Sequence, residues 1–150
     1  MSNHLHLVLR ARPDVVATWS DQEVARRALM IERLIKSKDG VTVREVTVGE
    51  IAIETADDER VAELRRRLSH VSFFMKSLCE HIGRRANRED DCTGHFFEGR
   101  FGSRYLASEA AILVCGIYVD LNQIRAGEAS TPEASTHTSG YGHQTGHPRF

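Results

Sequence analysis

Three prolines, three cysteines and one tryptophan are all that 150 residues hold of those types, and each scarcity excludes something. Cys79, Cys92 and Cys115 stand far apart without a Cys-x-x-Cys spacing, which argues against a disulfide framework and a cysteine zinc knuckle and predicts free thiols. No apolar run approaches the roughly eighteen residues that a membrane-spanning helix needs. The first residues also lack the basic start and apolar stretch of a signal peptide, so a cytoplasmic chain is expected. Neither sign of charge prevails, with 20 Lys and Arg against 21 Asp and Glu and a formal net charge of −1. An apolar fraction of 41% and a charged fraction of 27% suit one ordinary soluble domain with one core.

A balanced total can hide a segregated distribution. From Arg60 to Arg104 there are ten basic residues against six acidic ones, a local excess of +4. Arg65, Arg66, Lys76 and Arg84 fall on the polar face of an expected helix, and Arg100 and Arg104 lie among Phe96, Phe97, Phe101 and Tyr105. Cations interleaved with aromatics suit phosphate pairing and base stacking, although a solvated helix face and a half-buried strand account for the same residues.

Along the chain, a period of two would set Leu5, Leu7 and Leu9 toward a core and His4 and His6 together on the other face, which predicts a strand. Ser20 and Glu23 form a capping box for a helix over 21–36. Alternating valines and isoleucines over 41–53 predict one or two short strands. Asp57 and Asp58 cap the clearest helix of the chain, in which Leu64, Leu68, Val71, Met75, Leu78 and Ile82 recur at helical spacing. The aromatic segment 94–106 predicts a strand, and Ser108 caps a helix over 109–124 that is apolar nearly all round and so expected to be mostly buried. Residues 1–128 form the expected domain, and 129–150, rich in Ser, Thr, Gly and His, are expected to be disordered.

Two residue pairs carry chemistry. His4 and His6 on one strand face are half of a divalent-metal site, or an exposed polar face. Tyr118 and Asn122, four apart on a helix, set a phenol beside an amide. Such a phenol can serve as a nucleophile toward phosphorus if assisted, or can be a core tyrosine with its hydroxyl bonded locally. Tyr105 and Tyr141 are rival nucleophiles without an asparagine partner. A metal hydrolase built on His4 and His6 is a third possibility, against which the lack of a nearby acidic base on that strand argues.

Three stretches, in this order, resemble the single-tyrosine HUH transposases and among them the REP-associated and insertion-sequence types: Ser2-Asn3-His4-Leu5-His6-Leu7-Val8, Gly94-His95-Phe96-Phe97-Glu98-Gly99-Arg100-Phe101, and Tyr118-Val119-Asp120-Leu121-Asn122-Gln123-Ile124-Arg125-Ala126-Gly127. The resemblance implies an α+β, ferredoxin-like core, an antiparallel sheet with helices on one face. It implies Mg²⁺ or Mn²⁺ held by His4, His6 and Asn122, with Tyr118 as the nucleophile that forms a 5′-phosphotyrosine on single-stranded DNA. It also implies hairpin recognition by a homodimer, with Arg65, Arg66, Lys76, Arg84, Arg100 and Arg104 as the DNA-facing cations. Gln123 stands where the family commonly has proline, and His95 and Phe97 where it has Arg and Trp. Family members carry further residues ahead of the histidine strand, so an N-terminally shortened fold is expected, and a hairpin-binding relic without cleavage is the alternative function.

Overall fold

Short-range capping starts most of the helices. In the computed structural model, which describes residues 5–37 and 43–135, the Glu23 amide donates to Ser20 Oγ and opens α2, Asp21–Lys36. Only that half of the expected box forms there, because the Glu23 carboxylate turns instead to Arg26 and Arg27. A short α1, Pro13–Ala17, precedes it with proline in its first turn, where no amide donor is needed. Then come α3, Val48–Glu54; α4, Asp58–Leu68; α5, Val71–Glu89; α6, Glu109–Asp120; and α7, Asn122–Arg125.

Among the described residues helix accounts for 61% and no strand is formed. The expected α+β ferredoxin-like sheet is therefore overturned: this part of the chain is all-helical. Two of the three expected strand segments fail for local reasons. Over 41–53, Thr47 and Glu50 make a reciprocal capping box, with Glu50 N donating to Thr47 Oγ1 and Thr47 N donating to the Glu50 carboxylate. That box closes α3 over residues whose two-residue alternation is too short to hold a strand alone. In 94–106, Gly94, Gly99 and Gly102 interrupt the aromatics, and the chain bends over 94–99 and forms no strand beyond. Residues 5–12 form neither helix nor strand, and Leu5, Leu7 and Leu9 are exposed, not turned to a core.

The chain divides into two compact units, one of Ala11–Gly102 and one that joins Met1–Arg10 to Ser103–Phe150. In the first, the helical unit, α2 packs on α3, α4 and α5. Its centre is Val24, Val61 and Leu64, flanked by Trp19, Ala28 and Leu68. The single helix expected beyond Asp57 is two. Ser69 Oγ donates to the Arg65 carbonyl and His70 adopts an extended backbone, so the chain turns between α4 and α5. The aromatic block returns along α5, where Phe96 Cβ lies 3.3 Å from the position a Cβ on Gly83 would take and Asn87 Nδ2 donates to the Gly94 carbonyl at 2.9 Å.

In the terminal unit, Ser108 Oγ accepts from the Ala111 amide and starts α6 as the sequence predicts. The helix then breaks at Leu121, and α7 ends against Gly127, whose φ of +75° and whose amide bond to the Ile124 carbonyl form a glycine cap. The expectation that α6 is mostly buried is overturned, since Leu113 and Val114 are 65% and 67% exposed. A helix apolar on every side has more surface than the few elements of this unit can cover. Beyond it, Thr131 caps a short 3₁₀ turn, Pro132–Ala134, so residues 129–135 are turned chain. The remainder of the segment expected to be disordered lies outside the described residues. No helix among them is long and apolar enough to cross a membrane.

Candidate active site

Tyr118 sits in the last turn of α6, and two side chains from elsewhere in the terminal unit meet its ring. The His6 imidazole packs edge-on against it, with centroids 5.6 Å apart and planes at 87°. The Arg125 guanidinium lies over it, with Cζ 5.1 Å from the ring centroid. His6 is half-buried and its Nε2 is shielded from solvent, whereas Tyr118 is 42% exposed. The ring is thus contacted by two side chains while the residue stays part-exposed. It is not the buried core tyrosine that an all-round apolar helix suggested.

Of the remaining candidate ligands, Asn122 is half-buried and opens α7 one turn beyond Tyr118, its carbonyl accepting from the Ala126 amide. His4 lies outside the described residues, as does Tyr141. Among the described residues no three His, Cys, Asp or Glu side chains gather as a metal site. The donors present, one imidazole and one amide, are the chemical types that a divalent ion accepts, but they are a partial set. The other rival nucleophile, Tyr105, is 89% exposed.

The candidate DNA-facing cations divide into two groups. Arg65 is internal scaffolding: one Nη donates to the Val16 and Trp19 carbonyls, both at 2.8 Å, and the other to Asp21 at 2.7 Å. Arg66 pairs with Glu63 and Arg84 with Glu80, both within one helix. Glu63 also receives Arg67, and the two guanidiniums lower its carboxyl from the ordinary carboxylate range to about 2. Lys76, Arg100 and Arg104 are exposed, and no side-chain partner holds them among the described residues. Lys76 stands at the rim of a groove of about 200 Å³ between α2, α4 and α5, lined by Leu29, Ile35 and Phe73. Five of the six cations belong to the helical unit and Arg104 to the terminal unit.

No protein-family model, curated protein or solved structure matches the chain. The functional reading therefore stands on its own residues. Arg125, which the motifs do not single out as a site residue, reaches the Tyr118 ring from α7, beyond the break at Leu121.

Proposed function

We propose that this protein is a transposase-type enzyme that cuts and rejoins single-stranded DNA in the cytoplasm through Tyr118, related to the single-tyrosine HUH transposases in its motifs. The observation that supports this most is the contact of His6 with Tyr118, two motif residues far apart in sequence that meet ring to ring. Tyr118 Oη attacks a backbone phosphorus in line and loses its proton. The bond from phosphorus to the 3′ oxygen breaks, that oxygen takes up a proton, and the 5′ phosphate stays on the tyrosine. Attack by a 3′ hydroxyl reverses the step and joins strands without an external energy source, because the phosphoester bond is conserved throughout. Water attack would discard that bond, which is why a phenol suits recombination of a mobile element. In this reading His4, His6 and Asn122 hold Mg²⁺ or Mn²⁺, which when bound neutralises charge on the phosphate oxygens. The substrate is a DNA hairpin and the working form a homodimer, with Lys76, Arg100 and Arg104 as the cations available to the strand.

The test is incubation with end-labelled DNA hairpins carrying single-stranded flanks, plus Mn²⁺, resolved on a denaturing gel. A covalent adduct present in the parent protein and lost in Tyr118→Phe, His4→Ala and His6→Ala is the expected result. Retardation of the same hairpins on a native gel without any adduct would replace the proposal with a binding-only relic. An adduct that persists in Tyr118→Phe would assign the chemistry to another nucleophile.

A further inference from the structure

Among the described residues most arginines are held by carboxylates, while Arg88 donates to the Ser37 carbonyl and Arg27 lies over the Trp19 ring as well as against Glu23. In the helical unit, Arg12, Arg26, Arg27, Arg33, Arg44, Arg60, Arg65, Arg66, Arg67, Arg84 and Arg85 each lie against a carboxylate. Arg125 is placed otherwise: among the described residues its guanidinium has the ring of Tyr118 beneath it and no acidic partner. Its position is fixed from behind by the glycine cap, in which the Gly127 amide donates to the Ile124 carbonyl and the Glu128 amide to the Gln123 carbonyl.

We propose that Arg125 is the positioning residue of the Tyr118 site. A guanidinium held over the ring restrains the phenol that attacks the phosphodiester, so Arg125 acts through Tyr118. Tyr118 is exposed enough to swing about its first side-chain torsion, and in-line displacement requires its oxygen on one side of the phosphorus. With His6 against the ring edge-on and Arg125 above it, the ring has two fixed neighbours that restrict that swing. The catalytic consequence rests on the proposed function; the clamp itself does not.

Tyrosine nitration by tetranitromethane without DNA, mapped by peptide mass spectrometry, reads the clamp directly, with exposed Tyr105 as internal reference. Arg125 is itself exposed, so its truncation opens no cavity, and a far-ultraviolet spectrum matching the parent confirms the fold. Relative to Tyr105, nitration of Tyr118 is expected to rise about two- to five-fold in Arg125→Ala, the factor corresponding to one exposed cation–π contact, and by less in Arg125→Lys. In the hairpin assay the adduct-forming rate at saturating DNA is expected to fall in both variants, while the half-saturating concentration stays unchanged. Equal nitration of Tyr118 in parent and Arg125→Ala overturns the proposal. So does a raised half-saturating concentration at an unchanged rate, which would make Arg125 a plain DNA contact. If the parent forms no adduct, the proposed function fails, and nitration still decides the clamp.

Discussion

Arg65 shows how little a residue type reveals of its task. On sequence it is one of a basic triplet; in the fold it ties α4 to the Val16 carbonyl in α1, to the Trp19 carbonyl beyond it and to Asp21 at the start of α2. Arg65→Ala is expected to cost about 2 kcal/mol in denaturant unfolding, the scale of charged hydrogen bonds at a part-exposed site, and any loss of DNA affinity should follow that loss of fold. Val24, with none of its surface exposed, offers a contrasting case of pure packing. Val24→Ala should cost about 2–3 kcal/mol by the same measurement, from two lost methyl groups and the cavity they leave. Glu63 couples the fold to pH. Its carboxyl is lowered to about 2 by Arg66 and Arg67, so the folded form is favoured above the ordinary carboxylate value near 4.5, and that contribution is lost as pH falls toward 2. Glu63→Gln should flatten the acid limb of the helical signal between those values, as followed by circular dichroism.

Elements in this chain are decided by their ends. Over 47–54 the valines and isoleucines favour a strand, yet the Thr47–Glu50 box makes a helix, and Arg33 reinforces it by donating to the Arg44 and Glu45 carbonyls and to Glu50. Thr47→Ala should cost about 1 kcal/mol and raise amide exchange within α3 before it affects α2 or α4. The same logic split the long helix at Ser69. At α6 the capping serine was legible, but burial was not, because hydrophobicity on every side says that a helix could be covered and not that anything covers it.

At the scale of the molecule, much of the basic charge among the described residues is held in ion pairs. Of six candidate DNA-facing cations, three are held by carboxylates, and Lys76, Arg100 and Arg104 remain. Three phosphate contacts on single-stranded DNA give a slope of about −2 for log affinity against log salt, where six would give about −4. A measured slope near −4 would mean that the intrahelical pairs open on binding. Much of this protein was determined by sequence alone: the starts of α2 and α6, the want of a membrane-crossing helix among the described residues, and the motif order that singled out Tyr118 and His6. Those features depend on neighbours within four residues or on residue identity. Tertiary structure decided that the described residues build no sheet, that Arg65 belongs to the scaffold, and that His6 and Arg125 meet at one tyrosine ring. Strand pairing and ring contacts need partners distant in sequence, and no local pattern encodes whether such a partner arrives.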